Sequence, residues 1–552
     1  MAHTGPDASG PGVPPAAVRT GRTPTVHVPP RTAGSPARPV TGPGRRLGRR
    51  SLAAVAATAL ATPLLLTAAA SPAAADPSAA AKASASAAEK ASAAKEGDRL
   101  AKQLVRRTGA KGAMKHLKAL QAIARHSDGN RAAGSRGHEL SAKYAGTLLK
   151  AAGYEVTYQN FDFVYRETLA ERMTVTSPDE RDVPVKLMTY TKSTPEGGTK
   201  AALAPVPEDA DATSGCTADD YAAGDFDGKI ALIQRGGCTF AEKQKAAADA
   251  GAVAAVIYNN TEGELNGTLG DPESGVIPTG GISQKDGRAL AAEAGSGEVT
   301  VNVELREFQE TRSTPNVIAE TPGGDENKVA MFGAHLDSVS EGPGINDNAS
   351  GSAGILETAL QFARAGGTRS GGGHEGNKVR FALWTAEEVG LQGADHYVSE
   401  LSDAERDKIA LYLNFDMIAS PNYGLFVHDG DDSDGEGSGP GPEGSGQLEK
   451  DIVDFIESQG EETRGADFDG RSDYGPFIEA GIPGGGSKTG AEGIKTAEEQ
   501  KLWGGEADAA YDGCYHQECD DLDNINKKAF DLNIKVIANA VGHYSRDVSD
   551  LP

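Results

Sequence analysis

Positive charge is scarce in this 552-residue chain, which sets 54 Lys and Arg against 79 Asp and Glu for a formal net charge of -25. That balance argues against nucleic acid and anionic membrane surfaces as partners. Cysteine is scarcer still. The only four are Cys216, Cys238, Cys514 and Cys519, with no C-x2-C spacing and a gap of roughly 300 residues between the two pairs, which disfavours a four-cysteine zinc site. An even number in an exported chain points instead to disulfides, and local pairing of Cys216 with Cys238 and Cys514 with Cys519 is the simplest scheme. Internal repeats are lacking. Long apolar runs are lacking too, save residues 52–70.

That run reads as an address. Residues 1–44 are rich in Pro, Gly, Thr and Arg and are expected to be disordered. Arg45, Arg46, Arg49 and Arg50 then form a basic leader, the apolar run follows, and Ala73, Ala74 and Ala75 offer a small-residue cleavage site before Asp76. Ala-richness, Pro63 and that site favour a cleaved signal over a membrane anchor, so the protein is expected to be secreted after cleavage near Ala75. Removing the 8 Arg and 1 Asp of residues 1–75 leaves 46 basic and 78 acidic residues, a balance of -32.

Residues 76–108, an Ala/Ser/Lys segment, are expected to be a linker or pro-segment. Residues 113–152 carry apolar side chains at helical spacing, split by the Gly-rich stretch SDGNRAAGSRGH and followed by a strand from residue 154. Between residues 166 and 305 short β-rich runs alternate with Gly/Asp turns, with one clear helix at residues 240–250. Beyond residue 313 strands at 327–334, 378–384, 409–416 and 425–428 alternate with helices at 351–364 and 389–401. The expected architecture is α/β, a doubly wound mixed sheet with helices on both faces built from residues 109–165 and 306–552, interrupted by a smaller β-rich insertion.

The chemistry-bearing residues fall at or just after the ends of those strands, where open α/β sheets place their sites. GAHLDSV supplies His335 and Asp337, GINDNASG supplies Asp347, WTAEEVG supplies Glu387 and Glu388, NFDM supplies Asp416, and CYHQEC supplies His516. Zinc takes imidazole nitrogen and carboxylate oxygen. Two adjacent zincs need a shared carboxylate and a His and carboxylate on each side, which is a five-ligand set. Glu387 is left over beside Glu388, suited to carry a proton between water and leaving amine. Asp337 is placed to accept the second imidazole N–H of His335.

With GAHLDSV, GINDNASGSAGILETA, the Glu-Glu pair, YLNFDMI, GRSDY and CYHQECD in this order, the chain resembles the M28 family of co-catalytic zinc aminopeptidases over about residues 109–165 and 310–545. RGGCTFAEKQKAAADAGAVAAVIYNN resembles a protease-associated (PA) domain, which would occupy residues 166–305. The resemblance implies two zinc ions per chain, one held by His335 and Asp416, the other by Glu388 and His516, with Asp347 between them. It implies Glu387 as general base and Tyr515 as donor to the oxyanion. It also implies that Glu387, Asp416 and the backbone carbonyl of Arg471 receive the substrate's free α-amine. The expected substrates are peptides or proteins with a free N-terminus, and the expected state is a monomer. Asp473 in GRSDY is expected behind the ligands or as a helix cap. Two departures stand out. Hydrophobic-preferring relatives carry an aromatic residue after a Gly-Gly pair in the specificity pocket, where this chain has Ser487 and Lys488. The family's calcium site needs two aspartates four apart; Asp531 matches, but Lys535 replaces the second and degrades the site. A carboxypeptidase would need a clamp for a C-terminal carboxylate, a glutaminyl cyclase a single zinc, and a non-catalytic receptor-like relative could dispense with ligands and base; the complete set favours the aminopeptidase.

Overall fold

The computed structural model describes residues 77–208, 213–222, 224–270, 272–369, 376–435, 437 and 439–552. The signal over residues 1–75 and its cleavage site lie outside the described residues. No helix among the described residues is long and apolar enough to cross a membrane.

The sheet that carries the site runs in the order Arg464–Ala466, Phe426–His428, Gly484–Lys488, Ile409–Phe415, Asp325–His335, Asn377–Trp384, Thr300–Glu320. From Gly484–Lys488 to Asn377–Trp384 neighbouring strands are parallel; Phe426–His428 and Thr300–Glu320 join antiparallel. A central parallel strand is buried on both faces and therefore reads as a near-continuous apolar run. Strand Asp325–His335 shows this: Val329 and Met331 pack into a core with Ala394, Tyr397 and Phe477. The alternate residues Ala330, Phe332 and Ala334 enter the opposite core with Leu117, Leu120, Ala353 and Ile537. Helices Ala110–Arg125, Ala349–Phe362 and Lys527–Tyr544 line that second face, and Gln392–Ser399 and Gly475–Glu479 the first.

The insertion hangs on a two-stranded ribbon. Strands Glu155–Ser177 and Thr300–Glu320 pair antiparallel from Glu155 opposite Glu320 to Ser177 opposite Thr300, with register shifts after Thr168 and Val175. The far half of the ribbon enters a second sheet, Thr199–Pro205, Ile230–Gln234, Ala254–Tyr258, Thr279–Ile282 and Lys186–Leu187, flanked by helices Phe240–Asp249 and Gln284–Ser296. Tyr165 pairs with Glu310, so the chain crosses residues 165 and 306 in mid-ribbon rather than in a loop.

The segment expected as a linker or pro-segment forms helix Pro77–Arg107. Gly97, Leu100, Ala101, Leu104 and Thr108 are buried at helical spacing. The contact with helix Lys527–Tyr544 is close: a Cβ on Gly542 would lie 2.3 Å from the Ala101 Cα. The Ala/Ser/Lys composition of the first half dilutes the short apolar stripe of the second. The disulfides are Cys216–Cys238 and Cys514–Cys519, as expected.

Candidate active site

The fold brings the sequence-predicted ligands together at one edge of the sheet. His335 closes strand Asp325–His335, Asp416 follows the adjoining strand Ile409–Phe415, and Glu387 and Glu388 follow Asn377–Trp384 on the other side. Asp347 directly precedes the cap residue of helix Ala349–Phe362, where the helix N-terminus favours negative charge. Asn348 caps that helix by accepting the Gly351 N–H (2.9 Å) and ties it to the sheet by donating to the Phe415 carbonyl (3.0 Å). The disulfide Cys514–Cys519 closes a tight turn around Tyr515 and His516.

His335 Nε2 lies 3.2 Å from Asp347 Oδ1 and 3.3 Å from Asp416 Oδ1, with Glu387 Oε2 at 3.9 Å. His516 Nε2 lies 3.0 Å from Glu388 Oε2 and 3.3 Å from Asp347 Oδ2. The two oxygens of Asp347 thus face one imidazole each. Asp337 Oδ1 stands 3.5 Å behind His335 Nδ1, beyond a good hydrogen bond. Ser472 donates to Asp416 Oδ2 at 2.5 Å. Asp473 is fully buried; burial, then the charges of Asp416, Asp337 and Glu388, push its carboxyl well above the usual range although His335 opposes them. The backbone beside the ligands is strained: Ala386, Met417 and His516 adopt φ values of 58°, 49° and 57°. Such conformations persist in non-glycine residues where surrounding structure enforces them.

Charge and unsatisfied valence define what the site can hold. His335 Nδ1, both Asp337 oxygens, Glu388 Oε1, Asp416 Oδ1 and both Asp473 oxygens are buried without a hydrogen-bond partner. Buried carboxylates are costly unless paired with cations. Burial and the charge of Asp347 push Glu388 up to about 8. His516, which burial would lower, is held up at about 10 by Asp347 and Glu388. Ligand atoms of His335, Asp347 and Glu388 lie within 4.8 Å of one another, as do those of His335, Glu387 and Asp416. An imidazole and carboxylate set crowded to this extent, with unused lone pairs, fits zinc.

Asp347, Glu387, Glu388, Asp416 and His516 border a cavity of about 570 Å³ that Tyr515, Arg471 and Lys488 also line. The Tyr515 ring stacks on His516 at 3.8 Å, and its hydroxyl accepts a 3.3 Å hydrogen bond from Arg471 Nη2. Burial, then the charges of Asp347 and Glu388, push the phenol upward, so it keeps its proton and can donate it to an anionic oxygen. The other end of the Arg471 guanidinium pairs with Glu492 at 2.8 Å. Asp531, which does not line this cavity, accepts the Ala110 N–H (2.8 Å) and pairs with Lys535 (2.6 Å).

Two further buried supports lie outside the predicted site residues. Arg131, in the stretch read only as a Gly-rich loop, is fully buried and donates to the carbonyls of Leu336, Pro343 (2.9 Å) and Gly344 (2.6 Å). It ties the start of the loop that joins His335 to Asp347 to that same loop's end. Burial lowers its pKa to about 10 against the opposing pull of Asp337 and Asp520, so it remains a cation behind the carboxylates. Asp520 accepts the N–H groups of Asn346 (2.8 Å) and Asp347 (3.0 Å), fixing the end of the same loop. An isolated Arg carries no spacing signal, and Asp520, although it closes CYHQECD, carries none that marks it as a support of the loop before Asp347.

Peptidase family M28 matches residues 316–541, and the PA domain matches residues 199–290. Leucine aminopeptidase 2 of Trichophyton equinum is 43% identical over 427 residues, covering 77% of this chain and 82% of that protein. Among solved structures, an aminopeptidase from Aneurinibacillus sp. strain AM-1 superposes with a TM-score of 0.60 at 28% identity, covering 81% of this chain and 96% of that one. A zinc aminopeptidase from Bacillus subtilis does so with a TM-score of 0.51 at 25% identity, covering 80% and 99%.

Proposed function

Because the chain belongs to peptidase family M28 and is a zinc-dependent aminopeptidase, we propose that it is exported and removes N-terminal residues from peptides with two zinc ions and Glu387 as proton carrier. His335 and Asp416 would hold one ion, Glu388 and His516 the other, and Asp347 would serve both. Bound there, zinc would polarise the scissile carbonyl and make a water acidic enough to attack near neutral pH. The observation that supports this most is the crowding of imidazoles and carboxylates around the two oxygens of Asp347, with several buried atoms of the cluster lacking a hydrogen-bond partner.

The remaining work falls to the protein's own groups. Burial and the charges of Asp416, Asp473 and Glu388 raise Glu387 above the usual carboxyl range despite His335, and its place beside His335 and Asp416 suits it to act as base and then acid. It takes the proton of the attacking water and delivers it to the departing amine. Tyr515 donates to the oxygen that gains charge. Glu387, Asp416 and the Arg471 carbonyl receive the α-ammonium, so only an unblocked N-terminus is correctly placed.

Glu387→Gln tests the assignment. Its zinc content, measured by elemental analysis, should match the wild type while kcat falls by about 10²–10⁴-fold, the usual contribution of a general acid–base group. Undiminished turnover would remove Glu387 from the mechanism, and loss of zinc would make it a ligand instead.

A further inference from the structure

The recess beside the ligands differs from an apolar pocket in one respect. Lys488 ends strand Gly484–Lys488, and the register of Phe415 with Ser487 sets it beside Asp416 at the carboxyl edge of the sheet. On its other side it is in register with Phe426. Met417, Phe426, His428 and Tyr511 wall the same cavity. A side chain leaving an α-carbon whose amine is held at Glu387 and Asp416 enters this recess.

Lys488 and Asp469 face each other there, but their valences are filled unequally. Asp469 Oδ1 accepts both the Arg471 N–H (3.0 Å) and the Tyr474 hydroxyl. Its Oδ2 stands 3.7 Å from Lys488 Nζ, an ion-pair separation outside hydrogen-bond range. The carboxylate is already served by donors, whereas the ammonium, with three N–H groups, makes no hydrogen bond among the described residues. His428, kept neutral by burial, adds no charge to this wall. A leucine side chain here would strip water from the ammonium and return nothing. A side chain with a methylene stem and a terminal oxygen lays the stem on Phe426 and Met417 and gives the oxygen to Nζ.

We propose that Lys488 selects peptides whose first residue ends in a hydrogen-bond acceptor, Gln or Glu, over those beginning with Leu. This rests on the aminopeptidase function proposed above. Asp469 offsets the lysine charge, so the recess admits the neutral amide as well as the carboxylate.

The test is kcat/KM of the zinc-loaded full-length protein on Gln, Glu and Leu p-nitroanilides. The wild type should prefer Gln or Glu to Leu. Lys488→Met should lower that preference by about tenfold or more, as expected for loss of a charged hydrogen bond, while Lys488→Arg keeps it. Asp469→Asn, which leaves the lysine in place, should raise Glu relative to Gln because the lysine charge is no longer offset. A wild type that prefers Leu, a Lys488→Met variant with an unchanged ratio, or an Asp469→Asn variant with an unchanged Glu-to-Gln ratio would overturn the inference alone. Absence of zinc-dependent cleavage of all three substrates would overturn the aminopeptidase function together with it.

Discussion

His428 sits buried against the rings of Phe468, stacked at 5.1 Å, and Tyr474 at 4.5 Å. Burial, then the charge of Lys488, lowers its imidazole to about 3. In the unfolded chain the same group titrates near about 6.5. Between those values the unfolded state binds the extra proton, so stability rises with pH across this window and is lost as pH falls through it. His428→Phe should therefore flatten the acid limb of a Tm-against-pH curve between about pH 4 and 6.5. An unchanged slope would mean that the imidazole is not held neutral. Residues of this kind could not be read in the sequence, because their neighbours come from distant strands. The ligand candidates could: His335, Asp347, Glu388, Asp416 and His516 each stand in a short motif with a carboxylate or imidazole, and chemistry restricts what such a set can do. Arg131 and Asp520 act through backbone carbonyls and N–H groups, which leave no trace in residue spacing.

Among elements, the turn closed by Cys514–Cys519 bears most directly on the site. It encloses His516 in a left-handed conformation. So short a loop is worth about 2 kcal/mol through the unfolded state, but its local effect on a ligand should be larger. Cys514→Ser combined with Cys519→Ser is expected to weaken zinc affinity by about 10–100-fold, the range seen when supports of a ligand are removed. Competition with a zinc chelator reads this directly, and an unchanged affinity would show that the turn holds its shape without the bond. The strand Gly484–Lys488 was missed for a physical reason. Its GGGSK sequence has low strand propensity, yet a Cβ at Gly486 would lie 1.8 Å from the Asn414 carbonyl oxygen. Only glycine permits that approach to the neighbouring strand, so the residue that makes the strand possible also conceals it. The apolar strands Asp325–His335 and Asn377–Trp384 were legible because both their faces are buried.

At the scale of the whole molecule, the catalytic core extends further towards the N-terminus than composition suggested. Leu104 is fully buried where helix Pro77–Arg107 docks. Leu104→Ala should cost about 2–5 kcal/mol in urea unfolding, as for other buried leucines. A loss below about 0.5 kcal/mol, the range of surface substitutions, would mean that the helix is undocked in solution. The long ribbon that carries the insertion was likewise only half visible, since its charged and polar outer residues read as the short strands of two separate units. If zinc bound at this edge of the sheet hydrolyses the first peptide bond of an unblocked chain, a blocked N-terminus and loss of metal should each stop the reaction. The most direct measurement is p-nitroaniline release from paired free and N-acetylated aminoacyl p-nitroanilides, with chelator and after zinc is restored. Free substrates only should be cleaved, with activity abolished by chelator and recovered with zinc. Cleavage of acetylated substrates, or activity that survives full removal of metal, would contradict it.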